Sequence, residues 1–323
     1  MMKKIAVFTS GGDAPGMNAC LRAVVRTGFT NGVEVAGIYR GYQGMIEGDI
    51  VEMTNFSVSS IIQRGGTILK TARSEEFRTQ EGRKKAYEAL KKNGIEGLIV
   101  IGGDGSFRGA MALHAEFGMP VIGCPGTIDN DLYGTDYTIG YDTAVNTVVE
   151  AVDKIRDTAS SHNRLFFVEV MGRDAGFIAL RSAIASGAEA VLIPETTTYI
   201  DSLISTLENG WKRNKTSAII IVAEGDEFGG ADEAAKAVNE RFSTWETKVT
   251  ILGHIQRGGS PSAFDRVMAS RMGHKAVEAL LQGETNKMVG LRHSDLVLVP
   301  FENATKHHHK INEHLLELVN VLS

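Results

Sequence analysis

Residues 97–116 have the sequence GLIVIGGDGSFRGAMALHAE, and this stretch decides the fold. It begins with the apolar run Gly97–Ile101, which has the length and composition of a buried β-strand. A glycine-rich turn follows, and Ser106–Glu116 then shows the spacing of apolar residues that is typical of an amphipathic helix. A strand, a tight turn and a helix in this order predict one unit of an α/β fold.

The same alternation recurs along the chain. We therefore expect an α/β protein with mainly parallel sheets that are covered on both faces. At about 100–200 residues per domain, a chain of 323 residues predicts two domains. The other predicted strands are Ile5–Thr9, Val33–Tyr39, Val121–Cys124, Leu165–Val170, Ala190–Ile193, Ala218–Ala223 and Val249–Leu252. The other predicted helices include Met17–Thr30, Gln80–Lys92, Asp142–Thr158 and Asp201–Arg213.

The composition excludes several classes of protein. A hydrophobic content of 43% and a charged content of 23% are typical of soluble globular proteins. The net charge of −5 argues against general binding to nucleic acid or to a membrane surface. We expect neither a transmembrane helix nor a signal peptide. Cys20 and Cys124 are too few for a disulfide framework, so we expect two buried thiols in a reducing cytoplasm. The run His307–His309 indicates a solvated loop rather than a metal site.

Two glycine-rich turns follow predicted strands. Thr9–Gly16 could hold a phosphate at the start of a helix, or it could be a plain structural turn. It is not a Walker A motif, because no Gly-Lys-Ser/Thr follows. In the turn Gly102–Ser106, Asp104 either caps the helix or supplies a carboxylate for Mg²⁺ beside a phosphate chain. The sequence Gly-Gly-Asp-Gly also occurs in NAD kinases and lipid kinases, so it indicates nucleotide-dependent phosphoryl transfer but no particular substrate.

The segment Pro125–Asp131 is the most informative one. It places Asp129 and Asp131 two residues apart, directly after an apolar strand. A turn rich in Asp and Asn is one explanation. The other is kinase chemistry, in which one carboxylate accepts the proton of a hydroxyl group and a second lies near the metal.

Together these motifs resemble the bacterial phosphofructokinase family, in its ATP-using type. The resemblance continues through Met171–Arg173 and His254–Pro261, and it runs from about residue 3 to about residue 285. It implies two three-layer α/β/α Rossmann-like domains with the active site in the cleft between them. It also implies a nucleotide-binding domain of residues 1–140 and 256–306 and a sugar-phosphate-binding domain of residues 141–255 and 307–323.

The resemblance implies transfer of the γ-phosphoryl group of MgATP to the 1-hydroxyl of fructose 6-phosphate. Asp129 matches the base, and Thr127 matches a hydroxyl beside the transferring group. Gly12 matches a backbone contact to that group, and Arg73 and Arg173 match cations at the reacting phosphates. The implied metal ligands are Asp104 and Asp131, which would hold Mg²⁺. The implied ATP-binding residues are Gly12, Tyr42, Arg73, Ser74, Gly102, Gly103, Asp104, Gly105 and Ser106, with Arg78 and Phe107 as further candidates. The implied sugar-phosphate residues are Thr127, Asp129, Asp131, Met171, Gly172, Arg173, Glu224, His254 and Arg257.

Two glycines indicate which phosphoryl donor is used. In the family's pyrophosphate-using relatives, the position of Gly105 carries Asp and that of Gly126 carries Lys. Those side chains would occupy the space that the inner phosphate of a nucleotide needs, so glycine at both positions favours ATP.

Family members are homotetramers, and the resemblance implies contributions from a neighbouring chain. Arg164 and Lys248 match two cations that the sugar-phosphate site borrows. Lys248 is a departure, since Arg is usual there, and Lys keeps the charge but loses the bidentate geometry. We expect it to weaken binding of the sugar phosphate modestly.

An interface site for the effectors ADP and phosphoenolpyruvate is also implied. Asn55, Ser60 and Thr216 depart from its pattern and remove part of its positive field. We therefore expect an altered or reduced effector response, although ordinary surface charges would also explain the remaining residues. The matching effector residues are Arg22, Arg26, Arg156, Gly187, Glu189, Arg213 and Lys215.

Two other interpretations of these motifs are open. A Gly-Gly-Asp-Gly kinase acting on NAD or a lipid does not explain His254–Pro261, Met171–Arg173 or the pair Asp129 and Asp131. A catalytically inactive sensor of nucleotides or sugar phosphates is the other alternative. Against it, the implied base, metal carboxylate and catalytic arginines are all present.

Overall fold

A computed structural model of the chain describes residues 2–161, 164–197, 199–242, 245–305 and 311–322. The chain forms two compact units. Unit 1 comprises Met1–Ile128, Leu132–Thr143 and Arg257–His308, and unit 2 comprises Asp129–Asp131, Ala144–Gln256 and His309–Ser323. The histidine run 307–309 and the predicted domain boundary between residues 306 and 307 lie outside the described residues.

Strands and helices alternate along most of the chain. The strands are β1 (Lys4–Ser10), β2 (Glu34–Ile38), β3 (Ile50–Met53), β4 (Gly97–Gly102), β5 (Val121–Pro125), β6 (Arg164–Val170), β7 (Ala190–Leu192), β8 (Ala218–Ala223), β9 (Glu246–Ile251), β10 (Lys287–Arg292) and β11 (Asp295–Pro300). The helices are α1 (Met17–Thr30), α2 (Gly41–Glu47), α3 (Gln80–Lys92), α4 (Asp104–Phe117), α5 (Tyr141–Ser160), α6 (Phe177–Ser186), α7 (Ile200–Lys212), α8 (Ala231–Asn239), α9 (Ala263–Leu281), α10 (Phe301–Ala304) and α11 (Glu313–Leu322).

Unit 1 is built on a mixed sheet with the strand order β11-β10-β5-β4-β1-β2-β3. The five inner strands pair in parallel, whereas β3 and β11 pair antiparallel at the two edges. Every residue of β4 is buried, because helices and their apolar faces cover the centre of the sheet. Phe8, Phe107 and Phe301 are the bulky side chains of its core.

Unit 2 contains a smaller sheet with the strand order β7-β8-β6-β9, in which all neighbouring strands are parallel. Every residue of β8 is buried. Its core includes Leu165 and Phe167 from β6 and Ile220 and Val222 from β8. β9 forms one edge of this sheet and is only partly buried.

The predicted α/β class with mainly parallel sheets is confirmed. The helix bounds Met17–Thr30 and Gln80–Lys92 are observed as predicted, because both segments have a clear apolar face. The bounds of β9 were wrong: the strand begins at Glu246 rather than Val249, since its polar residues suit a half-exposed edge. β3, β10 and β11 were not predicted.

Cys20 and Cys124 are fully buried free thiols, as predicted. Burial, together with the neighbouring Cys124, raises the pKa of Cys20. Among the described residues, every helix is too short or too polar to span a bilayer.

A buried carboxylate fixes the start of α5 in unit 1. Asp265, in the first turn of α9, is fully buried. Its Oδ1 accepts a hydrogen bond from the N–H of Gly140 at 3.0 Å. Its Oδ2 accepts from the N–H of Thr143 at 2.8 Å and from the Thr143 hydroxyl at 2.5 Å. Asp265 thus satisfies N–H groups at the beginning of α5, which have no acceptor within the helix itself.

Replacing this carboxylate tests its structural role. Asp265→Ala would leave the N–H groups of Gly140 and Thr143 buried without an acceptor. At about 1–3 kcal/mol for each buried donor, we expect the free energy of unfolding to fall by about 2–6 kcal/mol. Urea unfolding measures this change. The exposed carboxylate Asp153 on α5 provides the matched control Asp153→Ala, which should change stability little.

The difference in the free energy of unfolding between the natural chain and Asp265→Ala should depend on pH in a defined direction. Burial raises the pKa of the Asp265 carboxyl to about 6 from an ordinary value of 3.8. A carboxyl with a higher pKa in the folded state stabilises the fold most below its unfolded pKa, and this contribution is lost as the pH rises through the folded pKa. The stability gap between the natural chain and Asp265→Ala should therefore be larger near pH 4 than near pH 7. A gap that widens with rising pH contradicts this assignment.

Candidate active site

The turn after β1 brings two predicted phosphate contacts together within unit 1. A Cβ placed at Gly12 would lie under 3.0 Å from the guanidinium of Arg257. Gly12 was predicted to contact the transferring phosphate and Arg257 the phosphate of the sugar. The structure places the Arg257 guanidinium directly against the Gly12 backbone, in space that a Cβ at residue 12 would enter.

The turn between β4 and α4 places Asp104 at the beginning of a helix. The N-cap residue of α4 is Gly103, so the alternative in which Asp104 caps the helix is wrong. Asp104 lies in the first turn, where the helix dipole favours a negative charge. Its Oδ2 lies 3.4 Å from Nη2 of Arg108, four residues further along the helix. The N–H groups at this helix start form the kind of site that binds phosphate oxygens.

The predicted nucleotide-side residues differ widely in exposure. Arg73 is exposed and Ser74 is half-buried, and the Ser74 hydroxyl donates to Gln43 Oε1 at 2.7 Å. Tyr42 is buried, its ring stacks on Phe77, and its hydroxyl donates to the Ser106 carbonyl at 2.5 Å. Burial also raises the pKa of Tyr42 well above its ordinary value. Tyr42 therefore supports the Ser106 backbone from within the core.

Phe107 was a wrong nucleotide candidate. Its side chain is fully buried, and its ring stacks on Phe301 at a centroid distance of 4.8 Å. It belongs to the core of unit 1. The sequence suggested otherwise because Phe107 directly follows the glycine-rich turn, and a residue near the start of a helix can point either towards a ligand or into the core.

The two glycines that indicate the phosphoryl donor have different surroundings. A Cβ at Gly105 would meet nothing within 4 Å, so its position faces open space. A Cβ at Gly126 would lie 2.9 Å from Met17 Cε and 3.1 Å from Ile101 Cγ2. Internal packing alone thus accounts for glycine at 126, whereas nothing in the described part of the chain demands glycine at 105.

Hydrogen bonds to the backbone fix the position of Thr127, the residue after Gly126. The Thr138 hydroxyl donates a hydrogen bond to the Thr127 carbonyl at 2.6 Å. Gly126 N–H donates to the Gly102 carbonyl at 3.0 Å, which joins this turn to the end of β4. Thr127 therefore has a fixed backbone position in unit 1.

In unit 2 the predicted base is buried beside a predicted cation. The Asp129 residue is 2% exposed, and its Oδ2 lies 3.4 Å from Nε of Arg173. The Arg173 side chain is more than half exposed, so it extends from this carboxylate towards solvent. A neighbouring guanidinium favours the ionised form of a carboxylate. Asn130, at φ 54°, is of the type that tolerates such a left-handed backbone.

Two side chains hold the turn that carries Arg173. Glu224 Oε1 accepts from the N–H of Gly172 at 3.2 Å and from the N–H of Arg173 at 2.8 Å. Gln256 Oε1 accepts from the N–H of Met171 at 3.2 Å, and Gln256 is fully buried. Glu224 was predicted to contact the sugar, whereas Gln256 was not predicted to position this turn, although it lies within the motif His254–Pro261.

The two cations predicted to serve a neighbouring chain lie side by side in unit 2. Arg164 on β6 and Glu246 on β9 are direct partners in the register of the two strands. Glu246 Oε2 lies 2.8 Å from Arg164 Nε, and Glu246 Oε1 lies 2.5 Å from Lys248 Nζ. The hydrogen bonds from Lys248 and Arg164 lower the pKa of Glu246 to about 2. Glu246 was not predicted as a functional residue, because only the strand register shows that it joins both cations.

His254, another predicted sugar-phosphate residue, is exposed and follows β9 in a single 3₁₀ turn, Gly253–Arg257.

Asp131, a predicted metal ligand, is partly buried. In the described part of the chain, no cluster of three or more His, Cys, Asp or Glu side chains could hold a metal ion. Carboxylate oxygens of the predicted type nevertheless suit Mg²⁺, which commonly takes one or two protein carboxylates and completes its shell with phosphate and water.

Most of the predicted effector residues meet in unit 2. The Arg156 guanidinium donates to the carbonyls of Ser186 and Gly187 at 2.8 Å. Glu189 lies 3.9 Å from Arg156 and 3.6 Å from Lys215. Arg22 and Arg26 lie on α1 in unit 1, and partial burial together with the charge of Arg26 lowers the pKa of Arg22.

Comparisons with known proteins agree on one family. The sequence profile described as "Phosphofructokinase" matches residues 4–280. The chain is 55% identical over 322 residues to "ATP-dependent 6-phosphofructokinase 2" of Bacteroides thetaiotaomicron, covering 100% of this chain and 99% of that protein. It is 58% identical over 322 residues to "ATP-dependent 6-phosphofructokinase 1" of Thermus thermophilus, covering 100% of each.

A solved structure of phosphofructokinase from Saccharomyces cerevisiae superimposes with a TM-score of 0.87 at 40% identity. The superposition covers 94% of this chain and 45% of the yeast chain. This chain therefore spans less than half the length of that structural relative.

The close packing around Gly172 gives a testable prediction. Gly172 has φ 151°, and a Cβ there would lie under 3.0 Å from the backbone oxygen of Ala175. We expect Gly172→Ala to lower the free energy of unfolding by about 2 kcal/mol or more, because the backbone itself must move.

Gly105→Ala is the matched control, since a Cβ at that position meets nothing within 4 Å. It lies in the first turn of α4, so alanine should be neutral or should stabilise the chain by up to about 1 kcal/mol. Urea unfolding of both variants decides the matter. Equal stability of the two variants would contradict the assigned role of Gly172.

Proposed function

The chain belongs to the phosphofructokinase family, and from this premise we propose that it is an ATP-dependent 6-phosphofructokinase. It transfers the γ-phosphoryl group of MgATP to the 1-hydroxyl of fructose 6-phosphate and gives fructose 1,6-bisphosphate and ADP. The single observation that carries the proposal is the buried carboxylate of Asp129 beside the exposed guanidinium of Arg173. Relatives at 55% and 58% identity over the whole chain carry the same name. The reaction is the committed step of glycolysis, and we place the enzyme in the cytoplasm.

Asp129 is proposed to accept the proton of the sugar's 1-hydroxyl as the new P–O bond forms and the bond to the ADP oxygen breaks. A carboxylate is a weak base, but this suits a loose transition state in which the hydroxyl proton leaves late. The exposed guanidinium of Arg173 lies beside this carboxylate and is proposed to contact the phosphoryl group. Glu224 fixes the backbone of Arg173, so this guanidinium is placed before substrate arrives.

Unit 1 is proposed to hold the nucleotide. Gly12 and the first turn of α4 offer backbone N–H groups to its phosphate oxygens, and exposed Arg73 supplies a cation. Mg²⁺ would be held by Asp104 and Asp131 and would neutralise charge on the phosphate chain when bound. Thr127 is proposed to lie beside the transferring group, on a backbone fixed by Thr138.

The sugar phosphate is proposed to bind His254 and Arg257 through its 6-phosphate and Glu224 through a hydroxyl group. Met171 and Gly172 belong to the same set, and Gln256 holds their turn. We further propose a homotetramer in which Arg164 and Lys248 of one chain serve the sugar-phosphate site of a neighbour. Both cations are already paired with Glu246, which keeps them together at one edge of the unit 2 sheet.

We also propose that the residues gathered around Glu189 respond to effectors such as ADP and phosphoenolpyruvate. The response is expected to be altered, because Asn55, Ser60 and Thr216 lack the charges usual at those positions. We propose that residues 1–140 and 256–306 form the nucleotide-binding domain. Residues 141–255 and 307–323 are proposed to form the sugar-phosphate-binding domain.

The inactive sensor finds no support. Relatives that cover the whole chain are named as enzymes, and each residue assigned to chemistry is present. A coupled assay with fructose 6-phosphate and either MgATP or pyrophosphate separates the remaining alternatives. Turnover with MgATP and none with pyrophosphate is the expected result, and turnover with neither would refute the proposal.

The role of Asp129 can be tested by removing its carboxylate. We expect Asp129→Ser to lower kcat about 10²–10⁴-fold, the usual contribution of a positioned base, while KM for fructose 6-phosphate changes only a few-fold. Steady-state kinetics provide both numbers. The control Asp153→Ser removes an exposed carboxylate on α5 and should leave both unchanged. A kcat within a few-fold of the natural chain in Asp129→Ser would exclude Asp129 as the base.

The open space at Gly105 provides a test of donor choice. Gly105→Asp should fold normally, because its Cβ meets nothing within 4 Å. Its carboxylate would face the anionic phosphates of the nucleotide, so we expect kcat/KM for MgATP to fall at least about tenfold. Gly105→Asn is the size-matched control without the charge and should retain more activity than Gly105→Asp. Loss of activity in both variants would show that steric room alone, and not charge, decides.

A further inference from the structure

The tetrapeptide Gln-Arg-Gly-Gly occurs twice in the chain, at residues 63–66 and at residues 256–259. Within unit 1, loop 63–67 and loop 257–260 pack against each other. A Cβ at Gly65 would lie under 3.0 Å from the carbonyl oxygen of Gly259 and 3.2 Å from its backbone nitrogen. The hydroxyl of Ser260 donates a hydrogen bond to the Gln63 carbonyl at 2.8 Å. The two loops therefore meet through their backbones, and glycine at position 65 leaves room for this contact.

Loop 63–67 is anchored to the beginning of α1 by Asn18. This residue is 1% exposed, and its Nδ2 donates to the carbonyls of Arg64 at 3.0 Å and of Gly65 at 3.2 Å. Its Oδ1 accepts a hydrogen bond from the N–H of Ile68 at 2.9 Å. One buried amide thus binds three backbone groups in or next to this loop, which fixes the loop relative to α1.

Loop 257–260 begins with Arg257, whose guanidinium lies against the backbone of Gly12. Gly259 and Ser260 are exposed at the other end of the loop. Loop 257–260 can therefore shift towards solvent, whereas loop 63–67 is held to α1. A change in the contact between the two loops should accordingly displace loop 257–260, and Arg257 with it.

We propose that Asn18 and Gly65 are positioning residues for Arg257. Asn18 holds loop 63–67, Gly65 meets the backbone of Gly259, and this contact sets the place of Arg257 two residues earlier. The inference rests on the proposed function, in which Arg257 binds the 6-phosphate of the sugar. Binding of a phosphate by Arg depends on geometry, because the planar guanidinium donates two parallel hydrogen bonds. A misplacement of about 1 Å is enough to weaken such a contact strongly.

Gly65→Ala tests the contact between the loops. Its methyl group must push the backbone of Gly259 away, since the hydrogen bonds of Asn18 hold the opposite side. We expect KM for fructose 6-phosphate to rise at least about tenfold at saturating MgATP. The turnover number kcat and KM for MgATP should change at most about threefold, because the affected group binds the sugar phosphate and not the reacting centre.

Gly94→Ala is the control for a general loss of stability. Gly94 has φ 69°, and a Cβ there would meet nothing within 4 Å among the described residues. Alanine therefore strains the backbone at this position without a new contact. The urea midpoint of Gly94→Ala should fall while KM for fructose 6-phosphate stays unchanged. An equal rise of KM in Gly94→Ala and Gly65→Ala would show that stability alone is responsible, and it would overturn the proposal.

A double-mutant cycle shows whether the effect passes through Arg257. Arg257→Gln removes the guanidinium, so adding Gly65→Ala to it should raise KM for fructose 6-phosphate by no more than about twofold. Two effects on KM that multiply would mean that Gly65 acts independently of Arg257, which contradicts the proposal.

Asn18→Ala frees loop 63–67 and should follow the same pattern, with a higher KM in the natural background and little further rise beside Arg257→Gln. Asn31→Ala is the matched control at the other end of α1, where the Asn31 side chain donates to the Thr27 carbonyl at 2.8 Å. It should leave KM unchanged.

The natural chain, assayed with MgATP and fructose 6-phosphate beside the variants, separates the two levels of the argument. Absence of turnover in the natural chain would refute the proposed function, and the positioning of Arg257 for a sugar phosphate with it. Normal turnover in the natural chain, with KM for fructose 6-phosphate unchanged in Gly65→Ala, would refute the positioning role alone.

Discussion

A side chain at Gly102 would bring its Cβ to 2.5 Å from the carbonyl oxygen of Ser10 and equally close to the hydroxyl of Ser106. The carboxyl ends of β1 and β4 can lie side by side only because this position carries no side chain. In a parallel sheet, this is the edge at which ligands bind. The glycine-rich turns follow directly after these two strand ends, and the N–H groups of the first turn of α4 lie at the same edge.

Carboxylates rather than cations organise the charged residues of unit 2. Glu224 binds the backbone of Arg173, and the Arg173 side chain then reaches Asp129. Glu246 similarly joins Arg164 of β6 to Lys248 of β9. Arg164, Arg173 and Lys248 are thus each positioned by a carboxylate before any ligand arrives. Such placement makes a positive charge effective in a reaction, since no reorganisation is needed when the substrate binds.

The sequence predicts what depends on local pattern. Strands β4 and β8 and helices α1 and α3 follow from periodicity within short segments, whereas the roles of Asp104, Asp129 and Arg173 are implied by the resemblance to the phosphofructokinase family. Prediction from the sequence fails where the position of a side chain depends on residues that are distant along the chain. Phe107 faces the core because Phe301, almost two hundred residues later, packs against it. Gln256, Glu246 and Asp265 have ordinary sequence surroundings, and only long-range hydrogen bonds or strand register reveal what they hold.

The contacts of Glu246 explain why lysine fits at position 248, where the family pattern has arginine. An arginine would bring a planar fork, but Glu246 Oε2 is already bonded to Arg164, and the remaining oxygen Oε1 accepts from Lys248. A compact ammonium can bond to that single oxygen and still direct its other hydrogen atoms elsewhere. A second guanidinium would compete with Arg164 for bidentate contact with the same carboxylate. Lysine at position 248 is therefore compatible with the contact between Arg164 and Glu246, and the positive charge at this edge of the sheet is retained.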